Sequence, residues 1–214
     1  MKEKEKLLKQ ILASGIIAII RLDESEPIYE LGTTLFSAGV KAIEVTIGTP
    51  NVLEEINKLS LHEGMIVGVG SVVDVKQAED AIAAGAEYVV TPVTKREVIN
   101  YCHQKAKPIF SGAYTPTEIE QAYSWGADVV KLFPAAIGGL PYFKAVKAPM
   151  PHIPIMPTGG ITLDNMSSWL DAGAVCLGVG GSLVNRDLVT KRDFRKIGQH
   201  AEEMVKIIRS RIKK

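Results

Sequence analysis

Short apolar runs alternate with stretches of helical pattern from one end of the chain to the other. The runs cover 16–22, 42–47, 65–69, 88–91, 108–110, 129–133, 153–156 and 175–179, eight in all. Most are apolar at successive positions instead of alternating with polar residues, which marks parallel strands covered on both faces. Several of the helical stretches open on residues that start helices: Glu26-Pro27, Thr49-Pro50, residues 71–74, Thr115-Pro116 and residues 162–164. Eight strand–helix units in about 200 residues predict an α/β fold, a TIM (β/α)₈ barrel with short loops. A doubly wound open sheet is the competing arrangement. No low-complexity linker and no shift of composition interrupts the alternation, so the expectation is one barrel domain over residues 1–214.

The two ends add detail. Residues 1–10 are rich in Lys and residues 11–20 are largely apolar, the outline of a secretory leader. Glu3 and Glu5 in the first segment argue against it, as do Arg21, Asp23 and Glu24 directly after the second and the lack of a small-x-small cleavage site. Ten residues are also too few to cross a bilayer. The pattern predicts an extra N-terminal helix, a break at Ser14-Gly15 and then the first buried strand. At the other end, residues 191–214 hold nine basic residues against three acidic ones. Ile197, Ala201, Met204, Ile208 and Ile212 form a single apolar stripe there. This predicts a helix with a solvated basic outer face rather than a nucleic-acid or membrane contact.

Composition narrows the function classes. The chain has 214 residues, 46% hydrophobic and 23% charged, with a mean hydropathy of +0.12, which suits a large ordered core. Twenty-five basic residues against 24 acidic ones leave a net charge of +1, so no general field holds nucleic acid or an anionic membrane. Cys102 and Cys176 make no disulfide framework and suit a reducing, cytoplasmic setting. The histidines at 62, 103, 152 and 200 have no metal-ligand spacing, and neither a G-x-S-x-G elbow nor a P-loop is present. No metal is expected.

A weak internal repeat says more. Ser37-Ala38-Gly39-Val40, Ala83-Ala84-Gly85-Ala86, Ser124-Trp125-Gly126-Ala127 and Asp171-Ala172-Gly173-Ala174 each close a helical stretch and enter an apolar run. Glycine falls where a chain leaving a helix turns left-handed. The spacings of 46, 41 and 47 residues are two strand–helix units each, so the glycines introduce the second, fourth, sixth and eighth runs. Five residues beyond them stand Glu44, Val90, Lys131 and Gly178. Alternate strands of an eight-stranded barrel fill one interior layer, which places one acid and one amine facing each other with space at Gly178. Two readings of the pair stand side by side. It is a buried ion pair that fixes register and adds little stability, or an amine kept partly neutral by burial and able to attack a carbonyl. Active sites of this fold lie at the C-terminal strand ends, towards which both residues sit, and that favours the second.

Pro157-Thr158-Gly159-Gly160-Ile161 follows the seventh run, and Gly178-Val179-Gly180-Gly181-Ser182 ends the eighth. Loops at these two places often hold a phosphate in such barrels, and paired glycines let backbone N–H groups approach its oxygens. Gly68-Val69-Gly70-Ser71 lacks the third glycine and the acidic residue of a dinucleotide fingerprint.

These pieces, with Ile43-Glu44-Val45-Thr46 and Val130-Lys131-Leu132-Phe133-Pro134-Ala135, run in order across almost the whole chain. Together they resemble the motifs of the 2-keto-3-deoxy-6-phosphogluconate (KDPG) and 2-keto-4-hydroxyglutarate (KHG) aldolase family. The resemblance implies a class I aldolase, commonly a homotrimer, acting on a small 2-keto acid phosphate. It would need no metal and no cofactor beyond a covalent lysine imine. Lys131 matches the Schiff-base lysine and Glu44 the general acid/base. Ser71 stands where a Thr usually helps hold the pyruvate moiety, and Phe133 matches a residue near the pyruvate methyl. Thr158 matches one beside the aldehyde portion; Gly159, Gly160, Gly180, Gly181 and Ser182 fall at the phosphate end.

One position departs. Many members carry an Arg four residues after the Glu to meet the pyruvate carboxylate; here it is Gly48. Arg21, at the end of the first strand, is the candidate to supply that charge, and a surface Arg closing a strand is the other reading. The implied reaction is cleavage of KDPG to pyruvate and glyceraldehyde 3-phosphate, with KHG as a further substrate giving pyruvate and glyoxylate. The alternatives are a 6-phosphogalactonate aldolase or epimerase of the same barrel group, or a non-catalytic phosphosugar-binding protein.

Overall fold

The structure, a computed structural model, describes residues 3–23 and 27–212. Glu24 and Glu26 lie outside the described residues, as does the side chain of Ile212. Strands and helices alternate as the apolar pattern predicts. The first half runs α1 (Glu3–Ser14), β1 (Ile16–Ile20), α2 (Ile28–Ser37), β2 (Ala42–Thr46), α3 (Val52–Ser60), β3 (Ile66–Gly70), α4 (Val75–Ala83) and β4 (Tyr88–Val90). It continues α5 (Arg96–Gln104), β5 (Ile109–Ala113), α6 (Pro116–Ser124), β6 (Val129–Leu132) and α7 (Ala135–Lys147, broken at Gly139). It ends β7 (Ile155–Pro157), α8 (Met166–Asp171), β8 (Leu177–Val179), α9 (Arg186–Thr190) and α10 (Phe194–Ile212).

All neighbouring strands pair in parallel, in the order β7-β6-β5-β4-β3-β2-β1-β8. The ring closes between β7 and β8 through the bridge from Thr158 to Gly178 and a backbone hydrogen bond from Val175 N to Ile155 O at 3.1 Å. This is the (β/α)₈ barrel, not the open sheet. The four repeat glycines hold φ of +98° (Gly39), +115° (Gly85), +98° (Gly126) and +99° (Gly173), the left-handed turn that each helix exit requires.

The apolar residues divide into two bodies. Outward strand residues such as Ile43, Val45, Val130 and Leu132 meet the ring of helices. Ile17, Ala42, Tyr88, Val90, Phe110, Val129, Met156 and Cys176 fill the interior. Helix α1 closes the N-terminal end of that interior, with fully buried Ile11 against it and Leu7, Leu8 and Leu12 alongside. Burying one such side chain contributes about 2 kcal/mol. Lys4 holds α1 in place through Asp128, 2.9 Å away.

Helix starts follow the sequence only in part. Asp74 accepts from Gln77 N at 2.8 Å, and Thr115 forms a capping box with Glu118. Helix α3, however, starts after Asn51 and not at Thr49-Pro50, because the Thr49 hydroxyl is buried 3.2 Å from that of Thr46. Helix α8 likewise starts after Asn165, whose side chain accepts from Thr162 N at 2.9 Å, so residues 162–164 form the preceding turn. The last basic segment folds as one helix, α10, with Ile197, Ala201, Met204 and Ile208 buried along it, and the short α9 precedes it. Both cysteines are free and buried, and burial pushes the Cys102 thiol up to about 12.

Candidate active site

Alternation along the strands decides which side chains enter the barrel. On β2, Ile43 and Val45 face the helices, which turns Ala42 and Glu44 inward. On β6, Val130 and Leu132 face out and Val129 faces in, which turns Lys131 inward as well. Glu44 has no exposed surface and Lys131 only 4%. Glycine makes the room: a Cβ at Gly70 would strike the Glu44 carboxylate, and one at Gly178 would strike the Thr158 hydroxyl.

Burial pushes the Glu44 carboxyl above its ordinary value, against the opposing charges of Lys131 and Arg21. Burial also pulls the Lys131 amine down; Glu44 opposes this and Arg21 adds to it. Neither Glu44 oxygen has a hydrogen-bond partner among the described residues, so the pair is not locked as the ion pair that a purely structural role would need. The Lys131 side-chain nitrogen instead stands over the Phe133 ring, 5.2 Å from its centroid. An amine of lowered basicity, beside a carboxyl that burial makes a weaker acid, suits nucleophilic attack with proton transfer close by.

A cavity of about 420 Å³ opens at the C-terminal ends of the strands. It takes in every site residue expected from sequence except Ser71, which joins it through Arg21. Arg21 Nη2 donates to Ser71 Oγ at 2.7 Å. Ser71 itself sits at φ +60°, a left-handed conformation that costs a residue with a Cβ about 1–3 kcal/mol and clusters at functional sites. On the far side, Thr158 N donates to Leu132 O at 3.0 Å and Ala135 N donates to Thr158 O at 2.9 Å, which pins the end of β7 to β6 and α7.

The two glycine pairs differ in what they need. Gly159 and Gly160 have φ of +93° and +77°, and a Cβ on Gly160 would stand 2.6 Å from Ala136 Cβ. A Cβ on Gly181 would meet nothing within 4 Å, so the protein itself leaves that space open. Ser182 lies in the wall with its hydroxyl donated to Ile161 O, which ties the loop after β8 to the loop after β7.

The family profile for KDPG and KHG aldolase matches residues 7–200. The chain belongs to this family. A 2-dehydro-3-deoxy-phosphogluconate aldolase of Treponema pallidum is 32% identical, covering 90% of this chain and 93% of the relative. A 2-dehydro-3-deoxy-6-phosphogalactonate aldolase of Escherichia coli is 29% identical, covering 92% and 96%. A solved KDPG aldolase of Legionella pneumophila, with pyruvate captured as a covalent carbinolamine, superposes with a TM-score of 0.85 at 27% identity, covering 95% of this chain and 98% of that one. As a member of the KDPG/KHG aldolases the chain is an aldehyde-lyase.

Within this aldolase, Gly48 lies in the exposed turn after β2, where a Cβ would meet nothing within 4 Å. The missing arginine is therefore not excluded by space. Sequence reasoning missed Ile19, Thr162 and Arg186, which also line the cavity. Ile19 is two residues on from inward-facing Ile17, so the strand period could have found it. Arg186 carried no such signal; its guanidinium stands 3.3 Å from Asp23 at the rim. No group of three or more His, Cys, Asp or Glu suited to a metal occurs among the described residues, and no described helix is long and apolar enough to cross a membrane.

Proposed function

We propose that the chain cleaves KDPG to pyruvate and glyceraldehyde 3-phosphate by a metal-free class I mechanism, with KHG as a further substrate. The observation that carries this is the buried Lys131 amine, held below its ordinary basicity and facing Glu44 at the floor of the glycine-walled cavity. Neutral Lys131 attacks the C2 ketone, and the carbinolamine loses water to give a protonated imine. Glu44, directly or through a water, takes the proton from the C4 hydroxyl as the C3–C4 bond breaks, and the electron pair is received by the imine. Glyceraldehyde 3-phosphate leaves. The enamine takes a proton at C3, and water hydrolyses the imine to release pyruvate and restore the amine.

Arg21, with Ser71, is positioned to hold the pyruvate carboxylate in place of the arginine absent at Gly48. Phe133 packs beside the methyl end and Thr158 beside the aldehyde. The backbone at Gly159, Gly160, Gly180, Gly181 and Ser182 receives the phosphate, which fixes the far end and positions the reacting bond. A homotrimer in a reducing cytoplasm is the setting that fits the family and the two free cysteines.

Borohydride with pyruvate tests the assignment. Reduction of the imine adds one carboxyethyl group to Lys131, read by peptide mass; a label on another lysine refutes it. The identity to a phosphogalactonate aldolase supports a second reading, the galactonate-derived C4 epimer. Pyruvate release from the two epimers and from KHG, compared by kcat/KM, separates them.

A further inference from the structure

The barrel interior holds a polar atom that the chemistry above does not use. Tyr88, on β4, is fully buried, and its hydroxyl has no hydrogen-bond partner among the described residues. A tyrosine that loses its water on folding ordinarily finds a partner, since an unmet hydroxyl costs about 1–3 kcal/mol. Strand register shows where this one points. Glu44 on β2 is level with Gly68 on β3, and Gly68 is level with Tyr88 on β4. A Cβ at Gly68 would strike Cζ and both Cε atoms of the Tyr88 ring, so the hydroxyl end of the ring lies across β3. Phe110 holds it there edge-on, with ring centroids 5.8 Å apart. The O–H is thus carried over the glycine gap towards β2, where both Glu44 carboxylate oxygens also have no partner. Gly68 and Gly70 do paired work: one clears the way for the tyrosine, the other for the carboxylate.

We propose that Tyr88 is a positioning residue for Glu44, its hydroxyl donating to a single water trapped between it and the carboxylate, which in turn donates to Glu44. The idea rests on the Schiff-base reading for its catalytic meaning, but the Tyr88–Glu44 contact itself stands or falls independently. The groups facing Glu44 are Lys131 from β6, Arg21 from the end of β1 and Tyr88 from β4; Cys176 and Glu87 act on Tyr88. Tyr88 stays protonated, because burial and the charge of Glu44 both push its hydroxyl well above the usual phenol range. It is therefore a fixed donor. A donor to a carboxylate favours the ionised form, so losing it raises the Glu44 titration midpoint.

The test is Tyr88→Phe in the full chain, which keeps the ring, its packing on Phe110 and its cover over Gly68. The readout is the NMR titration of the side-chain carboxyl carbon of Glu44 in ¹³C-glutamate-labelled protein, assigned with Glu44→Gln. The expected result is a midpoint raised by about one pH unit, a tenfold change worth about 1.4 kcal/mol. The acid limb of kcat/KM moves the same way, and kcat at neutral pH falls while KM holds. In the Glu44→Gln background the tyrosine substitution adds nothing. A Glu44 midpoint and acid limb that do not move overturn the proposal, as does a loss of kcat that persists undiminished in the Glu44→Gln background. Borohydride trapping of pyruvate by the unmodified chain is run alongside. Its failure removes the imine reading and leaves the carboxyl titration to decide the contact.

Discussion

Gly70→Ala turns the placement of Glu44 into a measurable quantity. Gly70 ends β3 in a conformation open to alanine, so the substitution adds one methyl group without a backbone penalty. That methyl stands 2.5 Å from Glu44 Cδ and 2.7 Å from Cγ, where ordinary contact begins at 3.4 Å. The carboxylate must therefore retreat by about 1 Å, and a displacement of that size in a reacting group costs about 10²-fold in rate. Overpacking costs about 1–3 kcal/mol, and in a chain of this length each kcal/mol lowers Tm by about 2–4 °C, so the variant still folds. Pyruvate release in a coupled assay reads kcat, and thermal denaturation reads the fold. Gly48→Ala is the control, since its Cβ meets nothing within 4 Å, and it should leave both unchanged. A folded Gly70→Ala enzyme within about threefold of the parent kcat, well short of the loss such a displacement brings, would refute the placement of Glu44 as the proton-transfer group.

Other expectations follow from the same site. Lys131→Met abolishes turnover; burial pulls the amine below its ordinary value, so the cost of burying its charge, present at low pH, fades as pH rises towards the free amine value, and calorimetry of parent and variant against pH should show their stability difference changing in that direction. Arg21 holds both the Glu44 carboxyl and the Lys131 amine down, so Arg21→Met moves the acid limb of kcat/KM to higher pH and weakens pyruvate binding; an unmoved limb with unchanged affinity contradicts it. Thr115→Ala removes the capping box of α6 and costs about 1 kcal/mol, read from thermal denaturation, with kcat unaffected because Thr115 does not line the cavity. Dialysis against EDTA leaves pyruvate release intact, and a loss restored by a divalent ion would count against the metal-free mechanism.

Much of the architecture was legible because it rests on local rules. A helix exit that turns left-handed demands glycine, so Gly39, Gly85, Gly126 and Gly173 mark alternate strands from sequence alone. A lysine inside Val-Val-Lys-Leu-Phe is costly to bury without purpose, which singled out Lys131 and, by equal spacing, Glu44. What escaped depends on lateral neighbours. That Tyr88 reaches over Gly68 follows from the stagger between β3 and β4, which no periodicity within one strand encodes. Thr49 was expected to open α3, but its hydroxyl turns inward to Thr46 and Asn51 takes the helix start. Arg186 meets Asp23 from a distant part of the chain, and the pairing of β8 with β1 brings them together.

The closure between β7 and β8 has a consequence for how the molecule breathes. Seven joints of the ring are ladders, whereas among the described residues the eighth is the bridge from Thr158 to Gly178 with one backbone hydrogen bond from Val175 N to Ile155 O, reinforced by Ser182 reaching the carbonyl of Ile161. The weakest seam of the cylinder thus runs down the wall where the phosphate is proposed to rest. A guest lying across it acts as mortar between the last two staves, so amide exchange along β7 and β8 should slow on ligand capture more than anywhere else in the ring.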